Sequence, residues 1–168
     1  HQTYNISTSI AAARKIFNIS DANIKNSMKK MRLKGRLEEI KSGKLKNLIG
    51  ENRLIIDGGH NINSAISISN WVKQQNEKVH LICGMMNDKP HKEFVNQFEN
   101  SVNSITLIDI PNQEGSISKE EFKKKLGNKN INTAESIEES LLMNNKDKNC
   151  IFLCAGSLYL AGEVLNLN

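Results

Sequence analysis

Four short apolar runs, each followed by residues in a helical pattern, constrain this chain more than any other feature. They cover residues 54–56, 79–83, 104–110 and 151–155. A strand with one wet face alternates apolar and polar residues, whereas near-continuous runs of this length belong to strands covered on both faces. Strands separated by helices pair in parallel through crossovers, so the expected fold class is α/β: a mostly parallel sheet with helices on both faces, preceded by a short helical segment.

The connecting segments carry their own signals. Ile6, Ile10, Ala13, Ile16 and Phe17 recur at helical spacing and predict a helix over residues 4–17. Ser20 is placed to cap a second helix with Ile24, Met28 and Met31 on its buried face. Residues 36–40 and 45–49 read as short strands around the Ser42-Gly43 turn. Further helices carry Ile66, Ile68 and Trp71, then Phe94, Val95 and Phe98, the latter entered through Asp88-Lys89-Pro90 with Pro90 at N1. Ser118 and Glu121 form a capping box, and Gly127 fits the position just past that helix. Ile131 is assigned to a very short strand and Thr133 to the cap of a helix with Ile137, Leu141 and Leu142; a last helix spans 158–165. The change of texture places a helical segment at 1–40 and an α/β domain at 41–168.

Composition excludes several functions. Lys and Arg exceed Asp and Glu by 23 − 18 = +5, but the lysines fall in short clusters such as Lys123-Lys124-Lys125 without interleaved aromatic residues. A solvated face, not a nucleic-acid stripe, is expected. Cys83, Cys150 and Cys154 lie in apolar runs; two of them on one strand, four residues apart, stand about 13 Å from each other, too far to share a metal ion. They read as reduced core thiols. No apolar run approaches the ~20 residues of a membrane span, and no signal peptide is visible, so a cytoplasmic location without membrane contact is expected. Paired metal-ligand histidines and a phosphate-binding G-x-x-x-x-G-K-[ST] loop are both missing from the sequence; Gly43-Lys44 lacks the earlier glycine and the hydroxyl. The chain opens at His1-Gln2 in a helical pattern and is expected to be a piece of a longer polypeptide.

Ligands of open parallel sheets bind beyond the carboxyl ends of the strands. Four places qualify: Asp57-Gly58-Gly59-His60-Asn61, Gly84 to Lys89, Asp109 to Pro111, and Gly156-Ser157. The first offers a carboxylate able to accept two ribose hydroxyls, two glycines that admit close backbone approach, and an imidazole at a helix start. Its plainer reading is Asp57 capping the next helix. Ser157 lacks the G-x-S-x-G frame of a nucleophile and reads as a cap or a phosphate-facing hydroxyl. The residues alone thus reach a nucleotide-binding α/β domain.

Taken in order, several segments resemble the folylpolyglutamate synthase/dihydrofolate synthase branch of the Mur ligase superfamily. His1-Gln2-Thr3-Tyr4-Asn5 with Ala11-Ala12-Ala13 is similar to its H-Q-x-x-N-A-x-x-A, and Lys34-Gly35-Arg36-Leu37-Glu38 to its P-G-R-[LF]-[EQ]. Ile56-Asp57-Gly58-Gly59-His60-Asn61 is similar to L-D-x-A-H-N, and Gly84-Met85-Met86-Asn87-Asp88-Lys89 to G-x-x-x-D-K. The ending, Gly156-Ser157-Leu158-Tyr159-Leu160-Ala161-Gly162-Glu163-Val164, looks like G-S-L-Y-L-x-G-E-V. The chain departs from the pattern at Lys34, Ile62 and Pro90.

The resemblance implies a Rossmann-like domain of an ATP- and Mg²⁺-dependent ligase joining L-glutamate to dihydropteroate or folate through an acyl phosphate. It implies that Asn5, assisted by Gln2, meets the adenine, Arg36 the phosphates and Asp57 the ribose. His60 is expected at the reacting end as the catalytic residue, with Ser157, Tyr159 and Lys89 on the substrate side. The metal ligands and the phosphate loop are expected in an N-terminal ATPase region outside this chain, which is the implied partner; the enzyme is expected to be a monomer, and this piece alone inactive. A peptidoglycan-type Mur ligase and a stand-alone nucleotide-binding module are the competing readings.

Overall fold

The computed structural model describes residues 3–31, 33–127 and 131–168. They form two compact units, His1–Lys34 and Gly35–Asn168. The division falls six residues ahead of the expected boundary, because the segment after Lys34 pairs with the sheet and does not continue the helices.

The first unit holds α1 (Thr3–Ile16) and α2 (Asp21–Lys30). Ser20 caps α2 as expected, its hydroxyl accepting from the Asn23 N–H at 3.2 Å. The buried face expected for α2 is not there: the helix has no buried residue, and Met28 and Met31 are both 38% exposed. Two helices of this length cannot enclose a core. Their apolar side chains, among them Ile6, Ile10, Ile24 and Met28, instead line an open cleft of about 700 Å³ within the unit.

The second unit is a doubly wound sheet. Its strands are β1 (Glu38–Ile40), β2 (Arg53–Asp57), β3 (Lys78–Cys83), β4 (Ser104–Leu107), β5 (Asn132–Thr133) and β6 (Cys150–Ala155), in the order β1-β2-β6-β3-β4-β5. All neighbouring strands pair in parallel except β1, which runs antiparallel along β2 with Glu38 opposite Ile56. The helices are α3 (Lys44–Leu48), α4 (Ile62–Val72), α5 (His91–Asn96), α6 (Lys119–Lys125), α7 (Ile137–Met143) and α8 (Leu158–Leu167). On one face Ile68 of α4, Phe94 of α5 and Phe122 of α6 cover Ile55, Leu81, Leu107 and Leu153. On the other, Leu45 of α3, Leu141 of α7 and Leu160 and Val164 of α8 cover Leu54, Ile56, Ile82, Phe152 and Cys154. Alternate residues of β2 and β6 therefore feed two separate cores, which is why their sequences carry no polar alternation.

Several local expectations are corrected. Residues 44–48 are helical, not a strand: Leu45, Leu48 and Ile49 follow a three-and-four spacing, and Leu45 and Ile49 are buried together against the sheet. The strand expected over 104–110 ends at Leu107. Ser136, not Thr133, caps α7, accepting from the Glu139 N–H at 3.0 Å, while Thr133 closes β5. Pro90 occupies the N-cap of α5 in place of N1, and Leu142 is 52% exposed. Ser118 caps α6 and Gly127 takes a φ of 79° just past its end, as the spacing predicts.

The three cysteines are buried and unpaired. Burial pushes the Cys154 thiol up to about 12 and Cys150 to about 11, and raises Cys83 as well, so none offers a thiolate near neutral pH.

Candidate functional site

The chain order makes connections diverge around β6. The helices following β2 and β3 (α4 and α5) lie on one face of the sheet, and the helix following β6, which sits between those strands, lies on the other. The loops at the carboxyl ends of β2, β6 and β3 part there, leaving a crevice at the topological switch point. A cavity of about 280 Å³ occupies it, lined by His60, Met86, Asp88, Lys89, Ser157, Leu158 and Tyr159.

Backbone bonds carry the sheet's order past the strand ends. Gly58 N donates to the Gly35 carbonyl at 2.8 Å, and Gly156 N to the Gly59 carbonyl at 3.0 Å. The two glycines after Asp57 were expected to admit a ligand; in the structure they admit protein. A Cβ on Gly58 overlaps the Leu158 side chain, and one on Gly59 comes within 2.8 Å of Ser64. Gly156 combines a φ of 112° with a Cβ direction 2.8 Å from the Gly84 carbonyl, so only glycine fits between β6 and the β3 loop.

Asp57 is 1% exposed. Its carboxylate accepts from Gly59 N at 2.7 Å and Leu37 N at 2.8 Å, and Arg36 Nη1 stands 3.8 Å away. Burial raises its pKa, against the opposing pull of those two N–H groups and of Arg36. The bond to Leu37 holds that residue in the left-handed region, φ 44°, a conformation that costs a branched side chain about 1–2 kcal/mol. Asp57 thereby fixes the turn that presents Arg36, whose side chain is one-third exposed. Asp57 does not cap α4; Asn61 does, in a reciprocal box with Ser64.

His60 Nδ1 lies 2.9 Å from the Gly58 carbonyl. A carbonyl only accepts, so Nδ1 carries the proton, and in the neutral ring Nε2 keeps a lone pair. Lys89 Nζ pairs with Asp88 at 2.7 Å, which holds the Asp88 carboxyl below its usual range. Ser157 is a buried N-cap of α8, its hydroxyl accepting from Tyr159 N at 3.1 Å; Tyr159 itself is 54% exposed. Of the expected site residues, the structure brings His60, Lys89, Ser157 and Tyr159 around one cavity and sets Arg36 against Asp57. Asn5 is an exposed residue of α1 in the first unit, and Gln2 lies outside the described residues. Met86, Asp88 and Leu158 were not singled out as site residues, although Met86 and Asp88 fall in the Gly84-to-Lys89 segment expected to face a ligand and Leu158 in the ending that begins at Gly156.

Asp109, at the fourth strand end, is not part of the cavity wall. It accepts from Lys119 N at 2.7 Å and Lys119 Nζ at 3.1 Å, and the same Nζ reaches Glu135 at 3.0 Å. That cluster ties α6 to the loop before α7. Among the described residues no group of three His, Cys, Asp or Glu could hold a metal ion, and no helix is long and apolar enough to cross a membrane.

Fold and site together define a Rossmann-like α/β domain with a cavity at the switch point. Residues 35–158 match the family described as Mur ligase, glutamate ligase domain, and the chain belongs to that family. Among solved structures it is similar to E. coli FolC in complex with DHPP and ADP, with a TM-score of 0.77 and 20% identity over 98% of this chain and 38% of that one. It is also similar to Mycobacterium tuberculosis folylpolyglutamate synthase complexed with ADP and AMPPCP (TM-score 0.75, 15% identity, 89% of this chain and 35% of that one). A third likeness is to a bifunctional folylpolyglutamate synthase/dihydrofolate synthase with Mn, AMPPNP and L-glutamate bound (0.70, 18%, 88% and 34%). The chain spans little more than a third of the length of these structures. No curated protein sequence matches it.

Proposed function

We propose that this chain is the C-terminal part of a cytoplasmic, monomeric, ATP-dependent ligase that adds L-glutamate to dihydropteroate or to a folyl glutamate. A carboxylate of the acceptor attacks the γ-phosphate of ATP, and the amine of glutamate then displaces phosphate from the acyl phosphate to form an amide. The observation that carries the reading is the convergence of His60, Lys89, Ser157 and Tyr159 on one amino-acid-sized cavity, the first three of them within the family-matched region.

Each residue has a chemical part in this reading. The Lys89 ammonium meets a carboxylate of the incoming amino acid, and His60 Nε2 takes the proton that the attacking ammonium must lose. Ser157 and Tyr159 shape the same pocket. Arg36, presented by the Asp57-locked turn, faces the phosphates with a planar fork of donors. Asp57 serves the ribose side of the same nucleotide site. Asn5 and Gln2 serve the adenine. Among the described residues no cluster suits Mg²⁺, so its ligands, like the phosphate loop, are assigned to an N-terminal ATPase region outside this chain.

The test is to express this chain joined to that preceding region and to measure ADP release. Release that requires both a pteroate or folate acceptor and L-glutamate supports the reading. Release that instead requires a nucleotide-linked muramyl peptide replaces it with a peptidoglycan ligase, and nucleotide binding without any turnover replaces it with a binding module.

A further inference from the structure

The cavity wall formed by Met86, Asp88 and Lys89 belongs to a loop that must be held in place, and one of its buried supports is a side chain with no part in the cavity lining. His91 is 6% exposed and its Nε2 lies 3.0 Å from the Met86 carbonyl. The same carbonyl accepts from Lys89 N at 3.2 Å, and His91 N donates to the Lys89 carbonyl at 2.9 Å. One residue thus closes the loop twice, by its main chain at Lys89 and by its ring at Met86. The ring is itself fixed edge-on against Phe122 of α6, centroids 5.0 Å apart. On the opposite side the loop is joined to residues 115–117: Asn87 N donates to the Gly115 carbonyl at 2.8 Å and Ile117 N to the Met85 carbonyl at 3.1 Å.

The geometry points to His91 as a positioning residue of the amino-acid pocket, acting through the Met86 carbonyl to set where Lys89 stands. This rests on the reading of the cavity as the glutamate pocket. Because the Met86 carbonyl only accepts, Nε2 must be the protonated nitrogen, and what the position requires is an N–H donor at that reach. Glutamine keeps such a donor and phenylalanine keeps only the ring's bulk. A role in packing alone is met by either an aromatic or a flexible side chain of similar size; a role as donor is met by glutamine and not by phenylalanine.

The experiment uses the chain joined to its preceding region and compares wild type, His91→Phe and His91→Gln. Folding is checked by circular dichroism, and the Met86-to-Lys89 loop is followed by amide hydrogen exchange. The expected result for folded His91→Phe is faster exchange in the loop and a KM for glutamate raised roughly five- to tenfold, the ordinary worth of one hydrogen bond. The KM for ATP stays put, and His91→Gln restores most of the loss. An unchanged KM for glutamate in folded His91→Phe, or a His91→Gln variant no better than His91→Phe, overturns the proposal. Should His91→Phe not fold, His91→Gln decides: loop exchange and glutamate KM near wild type support the donor role, and values far from wild type overturn it. If the wild-type protein shows no glutamate-dependent turnover, it is the functional reading that fails, and loop exchange alone then decides the tether: unchanged exchange in His91→Phe overturns it.

Discussion

Gly58 lies directly beneath Leu158, so close that a Cβ on the glycine would overlap the leucine side chain and stand 3.2 Å from its Cα. The end of β2 and the start of α8 therefore approach as backbone against side chain, and this contact sets one wall of the cavity. Gly58→Ala is expected to destabilise the protein by about 1–3 kcal/mol through overpacking. Leu158 is half exposed, so Leu158→Ala should cost little, and the double variant should recover most of the loss. Urea midpoints of the four proteins check this; strict additivity would remove the contact from the explanation.

Ser157 reaches both the fold and the site. Its hydroxyl satisfies the first turn of α8, and Ser157→Ala should lower stability by roughly 0.5–2 kcal/mol, the usual range for a lost cap. Ser157→Asn, which can also cap, should return the stability while crowding the cavity. The comparison is again by urea unfolding, with glutamate KM measured beside it. A stable Ser157→Asn protein with wild-type KM would separate Ser157 from the pocket.

Arg36 and Lys89 are expected to divide the two substrates. Arg36→Ala should raise the KM for ATP at least ~10-fold and leave that for glutamate nearly constant, while Lys89→Met should do the reverse. Steady-state kinetics with each substrate varied in turn settles the split. Equal effects of both variants on both constants would contradict the assignment.

Stability should fall as pH drops from 7.5 to 5.5, with His80 as one source. His80 is buried, with Nδ1 2.8 Å from Ser104 Oγ and Nε2 3.1 Å from Asp147, beside Lys78 and the Phe152 ring. Burial lowers its pKa below the ordinary 6.5, more than Asp147 raises it. The unfolded chain therefore takes up the proton first. The stability that rests on a neutral imidazole is complete above 6.5 and is lost as pH falls toward the depressed value. His91, also lowered by burial, contributes with the same sign. His80→Gln should flatten the slope, which cannot exceed about 1.4 kcal/mol per pH unit for each proton taken up. Unfolding midpoints across this window test it; an unaltered slope in His80→Gln would acquit that residue.

Much of the architecture was legible in the order of residues. Apolar runs at 54–56, 79–83 and 151–155 could only be strands of a doubly covered sheet, because burial on both faces leaves no reason for polar alternation. Ser20, Ser118 and Gly127 announced helix ends through their own local chemistry. Residues 44–48 were harder: a segment of five carries too few turns to separate helical from strand periodicity, and only packing of Leu45 and Ile49 against the sheet decided it. The α2 side chains were periodic, yet periodicity does not supply the surface that buries them.

For the site, the sequence by itself determined the residue types and the strand ends that carry them: His60 after β2, Lys89 after β3, Ser157 and Tyr159 after β6. Tertiary structure alone decided which of those ends meet. Inserting β6 between β2 and β3 joins three loops that are up to a hundred residues apart in the chain and leaves Asp109, an equally plausible carboxylate, tied to Lys119 outside the cavity. The physical reason is that side-chain chemistry and local spacing are properties of neighbouring residues, whereas the order of strands depends on how two hydrophobic faces are shared among all of them.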